Sequence, residues 1–168
     1  EQSGATDSAT NNGLVLLAVL SYRNREKALR ENQYYDPQFV GQILANRDAR
    51  LACIAFAKGN CDDELIELTN QHKLYKEQAR YCVARQSPEL WKRVLSPDNK
   101  HMKLVVDAVI STAILECDDP DKVTQTVKAF VDAQIPTQLL GLLEKVVMES
   151  PQFQNNTSLQ NLLIITAI

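Results

Sequence analysis

Apolar residues recur along most of this chain at intervals of three and four, the spacing that lines one face of a helix. Residues 1–12, EQSGATDSATNN, are the exception: they are polar and lack periodicity, which predicts a frayed or disordered start. Residues 13–168 read as helices throughout. Gly13 to Tyr22 is apolar enough for a short buried helix. Arg23 to Glu31 is a charged helical stretch with Glu26 and Arg30 one turn apart. Asp36-Pro37 opens a helix to about Ala45, and Arg47-Asp48 opens another to Lys58, with Leu51, Ile54 and Ala55 on one face. Gly59 then ends it as a left-handed cap would. Asp62-Asp63-Glu64 starts the next helix with negative charge at the positive end of its dipole, and Leu65, Ile66, Leu68 and Thr69 continue it. Leu74 to Ala84 and Glu89 to Leu95 are the next two helices. In the second half, the predicted stripes are Leu104, Val105, Ala108, Val109, Thr112 and Ala113, then Val123, Val127, Phe130 and Val131. Thr137 to Met148 carries leucines and valines at helical spacing. Thr157 to Ile168 is apolar on two faces, the mark of a helix lying between neighbours.

The prolines punctuate this pattern. Asp36-Pro37, Ser87-Pro88, Asp119-Pro120 and Ser150-Pro151 each set a capping side chain before a proline. Asp or Ser accepts a backbone N–H there, and proline at the first helical position has no N–H to leave unsatisfied. Ser96-Pro97 reads as a turn, and Ile135-Pro136 as a start without a capper. About ten helices of roughly three turns joined by tight loops match the helical hairpins of a solenoid, which take 20–45 residues per repeat. A compact bundle would show the same pattern. The chain stops inside an apolar helix without a polar cap, so a segment of a longer repeat array is expected.

Composition narrows the function classes. Of 168 residues, 45% are hydrophobic and 23% charged, an ordinary globular mix. Five glycines and six prolines are few for an all-β fold, which needs many turns. A net charge of −3 gives no electrostatic footprint for nucleic acid. The apolar run Leu14–Leu20 is far short of the roughly 20 residues of a membrane span, and the start Glu1-Gln2-Ser3 is not that of a signal peptide. Cys53, Cys61, Cys82 and Cys117 include no pair separated by two residues, so neither a zinc knuckle nor a redox pair is indicated. Two disulfides are arithmetically open. The expectation is thiols in a reducing cytosol, with Cys53 and Cys82 buried in helical runs.

Candidate chemistry is sparse. His72 and His101 are the only histidines and lie far apart in sequence. His72 sits at a polar helix end, where it complements the dipole, and His101 lies in a polar run. Neither a metal-ligand spacing, a Ser–His–Asp set nor a glycine-rich phosphate loop can be assembled. Asp62-Asp63-Glu64 and Asp118-Asp119 with Asp121 lack the alternating ligands and terminal Glu of a calcium loop. No catalytic, cofactor-binding or metal-binding residue is therefore expected, no cofactor, and no enzyme. Tyr34-Tyr35 and Trp91 are the notable aromatics, read as wedges between helices rather than as recognition anchors.

Several stretches carry a resemblance: Glu31-Asn32-Gln33-Tyr34-Tyr35-Asp36 with Val40-Gly41, Asn46-Arg47-Asp48 through Leu51-Ala52-Cys53, and Lys58-Gly59-Asn60-Cys61-Asp62. Ala79-Arg80-Tyr81, Ser87-Pro88-Glu89-Leu90-Trp91, Thr126-Val127-Lys128-Ala129-Phe130 and the closing Leu159 to Ile168 continue it. In this order and spacing they resemble the clathrin heavy-chain family, in the distal-leg part of its helical repeats. The resemblance implies an all-α fold, an α-solenoid of stacked helical hairpins with a right-handed superhelix. It implies a structural scaffold of the clathrin coat, a leg segment that spans distance and makes lateral contacts in the polyhedral lattice during vesicle formation. Expected partners are other clathrin heavy chains. The clathrin light chain and cargo adaptors would bind regions outside these residues, and membrane association would be peripheral, through the assembled coat. The expected place is the cytoplasmic face of coated pits and coated vesicles. The charged runs Arg23–Lys27 and Lys73–Lys76 could supply lattice contacts, but read more simply as solvated helix faces. A vesicle-tethering subunit of the vacuolar-sorting type, with similar repeats, is the alternative.

Overall fold

The computed structural model describes residues 3–21, 25–151 and 153–167. Its regular elements are helices, and no strand occurs among the described residues. In order they are α1 (Ser3–Ser21), α2 (Arg25–Glu31), α3 (Pro37–Ala45), α4 (Ala49–Lys58), α5 (Asp62–His72), α6 (Tyr75–Arg85), α7 (Pro88–Val94), α8 (Met102–Ala108), α9 (Pro120–Asp132), α10 (Pro136–Glu149) and α11 (Thr157–Ala167). The chain divides into two compact units, Glu1–Glu77 and Gln78–Ile168.

Three of the four capped prolines begin helices. Asp36 Oδ1 accepts the Phe39 N–H at 3.1 Å, Ser87 Oγ the Leu90 N–H at 3.4 Å, and Asp119 Oδ1 the Asp121 N–H at 3.0 Å. Asp48 caps α4 without a proline, accepting from Arg50 and Leu51. Ser150-Pro151 departs from expectation. It ends α10 in a turn, closed by the Phe153 N–H on the Ser150 carbonyl at 2.9 Å, and α11 begins only at Thr157. The turn lets Phe153 be buried, and Asn156, among the strongest capping residues, accepts the Leu159 N–H at 3.2 Å.

In the first unit α3 packs on α4, α4 on α5, α1 on α2, and α2 on α4. The short links between α3, α4 and α5 make these neighbours antiparallel hairpins. Val15, Val19, Leu29, Val40, Leu44, Phe56 and Leu65 fill the core. Residues 3–12, read from sequence as frayed, belong to α1. A tertiary contact holds the end of that stretch: Asn12 is buried and its Oδ1 accepts the Asp36 N–H at 2.7 Å. Gly41 lies in the α3–α4 contact, where an added Cβ would stand 2.4 Å from Phe56 Cε1. Gly59 is not the left-handed cap the sequence suggests. Its φ is −83°, and Asn60, at φ 52°, takes the left-handed position instead. Glycine is needed at 59 for space, since a Cβ there would meet Pro37 Cβ at 2.8 Å and Cys61 Sγ at 2.9 Å.

In the second unit α7 packs on α9, α9 on α10, and α10 on α11. Trp91 and Phe130 meet edge to face, centroids 6.1 Å apart at 71°. The helix predicted to carry the stripe from Leu104 to Ala113 is α-helical only to Ala108, then turns as a π-helix over Val109–Ala113. The Ile114 N–H bonds the Val109 carbonyl, five residues back, at 3.0 Å. The wider turn shifts the helical phase of the residues beyond it, so Ala113 and Ile114 are buried while Thr112 is partly exposed. Leu104, placed in the predicted stripe, is exposed, and Val106, outside it, is buried instead. On α9 Thr126 is buried in place of Val131, its hydroxyl bonded to the Lys122 carbonyl at 2.8 Å. On α11 Leu159 is buried, whereas Ile164 and Ile165 are exposed.

Candidate functional site

The structure keeps the residues of chemical interest apart. His72 is exposed in the last turn of α5. His101 precedes α8, its backbone N–H on Asn99 Oδ1 at 3.0 Å. Asp62, Asp63 and Glu64 occupy the first turn of α5, while Asp119 is spent on capping α9. Among the described residues, no group of three or more His, Cys, Asp or Glu is placed to hold a metal ion. None of the four cysteines is in a disulfide. Burial pushes the Cys53 thiol up to about 12, with Glu77 and Asp48 adding to the effect. Cys61 is raised too, by desolvation and then by Glu64, Asp36 and Asp62. A thiolate is the reactive form, so neither environment favours nucleophilic chemistry.

The aromatic pair Tyr34-Tyr35 divides. Tyr35 is a wedge: its hydroxyl donates to the Leu29 carbonyl at 2.8 Å, and Lys58 Nζ lies 5.1 Å from its ring centroid. The same ammonium donates to the carbonyls of Leu29 at 3.2 Å, Arg30 at 3.0 Å and Asn32. Lys58 therefore closes the C-terminus of α2 from another helix. Tyr34 is not a wedge; it is 76% exposed in the loop before α3. The chain bends at both residues, and Tyr35 alone holds the inward position. Trp91 is the expected wedge, buried at 4% exposure.

Surface charges are mostly arranged as solvated helix faces. Arg25, Glu26 and Lys27 are exposed, with Arg30–Glu26 at 3.9 Å and Lys27–Glu31 at 3.8 Å, while Arg23 and Asn24 lie outside the described residues. Lys73 and Lys76 are exposed, Lys73 as the left-handed cap of α5. Arg80 makes a two-pronged bond to Glu116, 2.7 and 2.9 Å, a geometry stronger than a single contact. Gln86, left-handed at φ 52°, ties the end of α6 to α9. Its Nε2 donates to Val83 O at 2.7 Å, Lys122 O at 3.0 Å and Thr126 Oγ1 at 3.1 Å. Sequence reasoning did not single out Lys58 or Gln86, because all their hydrogen-bond partners but Val83 lie 26 to 40 residues away.

One concavity stands out in the second unit, a groove of about 470 Å³ between α7 and α9. Among the described residues no helix is long and apolar enough to cross a membrane.

Comparison with known proteins places these helices in context. The clathrin family, described as "Region in Clathrin and VPS", matches residues 1–106 and 114–168. The unmatched residues 107–113 include the π-helical turn. The chain is 46% identical over 165 residues to a clathrin heavy chain of Drosophila melanogaster. It is 44% identical over 167 residues to clathrin heavy chain 2 of Homo sapiens, and 45% over 165 to a clathrin heavy chain of Dictyostelium discoideum. These alignments cover 98 to 99% of this chain, and the chain spans about 10% of the length of each relative.

Proposed function

This chain belongs to the family of regions found in clathrin and VPS proteins, and from that premise we propose that it is a structural segment of a clathrin coat. The observation that carries the reading is identity of 44 to 46% to clathrin heavy chains over nearly the whole chain. That level of similarity, over 98 to 99% of the chain, also favours the coat over a vacuolar-sorting tether. In this reading the segment is part of a leg, an α-solenoid of right-handed superhelix. Its task is to span distance and meet other heavy chains laterally at the cytoplasmic face of coated pits and vesicles. Light chains and adaptors engage other parts of the coat protein. Packed hairpins such as α3–α4 and α9–α10 suit a load-bearing role, because each buries its apolar stripe chiefly on sequence neighbours.

The test is a segment exchange. A Drosophila melanogaster clathrin heavy chain carrying residues 1–168 in place of its matching segment should assemble closed coats, scored by electron microscopy. Removing residues 119–150 from the exchanged segment takes out the α9–α10 hairpin and shortens it by roughly 10 Å, the spacing of packed helices. Coats should then be aberrant or absent. A folded exchange chain that forms no coats, or normal coats from the shortened chain, would overturn the reading.

A further inference from the structure

The groove between α7 and α9 has a chemically uneven lining, apolar within and charged at Lys92, Lys128 and Asp132. We propose that it is a docking site for a short acidic peptide segment that inserts one apolar side chain. Its α7 wall presents Trp91, Lys92 and Leu95, and its α9 wall Lys128, Ala129 and Asp132. Each set follows helical spacing, so each wall is one face of a helix.

The floor is apolar and already in place. Trp91 and Leu95 are buried, and Phe130 meets Trp91 edge to face within the core. Ala129 keeps the α9 wall shallow, which leaves room for a guest side chain. A volume of about 470 Å³ falls in the range of small ligand sites, roughly 300–1,000 Å³, enough for one anchor and its flanking backbone. A preformed floor spares the ligand the cost of ordering the receptor.

The charge at the mouth selects the sign of the guest. Lys92 and Lys128 stand one on each wall, both exposed, and neither is in an ion pair among the described residues. Asp132 is the only acidic lining residue, so the groove is locally positive on a chain of net charge −3. Carboxylates flanking an aliphatic anchor can be met from both sides, whereas a basic peptide meets two like charges. Complementarity of this kind governs partner choice and association rate.

Trp91 is the only tryptophan and lines the groove, so the intact chain reports its own occupancy. The probes are three fluorescein-labelled, end-capped peptides: Glu-Asp-Ile-Glu-Asp, Glu-Asp-Ala-Glu-Asp and Lys-Lys-Ile-Lys-Lys. Anisotropy gives affinity, and the unlabelled peptides are followed by Trp91 emission. The acidic isoleucine peptide should bind saturably and shift the emission. The alanine and lysine versions should bind at least roughly tenfold more weakly, as should the isoleucine peptide to Lys92→Glu/Lys128→Glu. Both lysines are exposed, so this variant keeps its fold, checked by circular dichroism. Ala129→Leu, which fills the groove, should abolish the emission shift. Equal binding of acidic and basic peptides, binding unmoved by either variant, or no saturation would each overturn the proposal. Concentration-dependent dimerisation of the peptide-free chain, lost in Ala129→Leu, would assign the groove to a second copy and overturn it too.

Discussion

Gly41→Ala sets two well-measured effects against each other. In a helix interior the exchange removes backbone entropy and should stabilise by about 1 kcal/mol. Here the new Cβ would stand 2.4 and 2.5 Å from Phe56 Cε1 and Cδ1, and 2.9 Å from Cζ. Carbon atoms prefer roughly 3.5–4.0 Å, so the ring or the helices must give by about an ångström. Phe56 is 2% exposed and held in the α3–α4 contact, so its ring has no free side to turn into. Overpacking of this kind costs about 1–3 kcal/mol, and the overlap puts this site at the upper end. The net expectation is a loss of about 2 kcal/mol after the helix-propensity gain is subtracted. For a chain of this size that lowers the melting temperature by about 4–8 °C, read by far-UV circular dichroism. Gly13→Ala is the control, since a Cβ there meets nothing within 4 Å. It should raise stability by up to about 1 kcal/mol. Gly41→Ala combined with Phe56→Leu should recover part of the loss, with a coupling of at least about 0.5 kcal/mol. A Gly41→Ala chain that melts at or above the parent temperature would refute the close-packing argument.

The same geometry sets three further outcomes. Trp91→Ala should cost about 3–5 kcal/mol, read by circular dichroism because the fluorophore is removed, and an unchanged urea midpoint would contradict its role as a wedge. Burial raises the Tyr35 phenol to about 12 from its usual 10, so the folded chain holds that proton where the unfolded chain releases it. The contribution is intact below about pH 10 and is lost as pH climbs toward 12, so Tyr35→Phe should flatten the fall in urea midpoint over that window; equal slopes would refute it. Gln134 comes just after α9 at φ 55° and is exposed, so Gln134→Gly should relieve left-handed strain and stabilise by up to about 1 kcal/mol, and a lower melting temperature would count against it.

Helix starts were legible in the sequence because they are local chemistry. Asp36, Ser87 and Asp119 cap through hydrogen bonds spanning two or three residues, and the proline beside each has its φ preset. The α10 stripe of Leu139, Leu142, Leu143, Val146 and Val147 was readable for a similar reason, since an unbroken helix repeats its own period. Where covering depends on a partner, local signals misled. Residues 3–12 look frayed although Asn12 is buried against Asp36, and Gly59 looks like a left-handed cap although its absent side chain serves the close approach of Pro37. Tyr34 and Tyr35 are the same residue type in adjacent positions, and only the Leu29 carbonyl and Lys58 decide which is inside. The π-helical turn after α8 broke the period on which the prediction rested, taking Thr112 out of the buried stripe and bringing Ile114 into it. The groove was invisible for the same cause: Lys92 and Lys128 are ordinary surface lysines on separate helices until α7 packs on α9. Hydrogen-bond geometry within a turn is written into neighbouring residues, whereas burial, close approach and the meeting of charges are properties of pairs that only packing brings together.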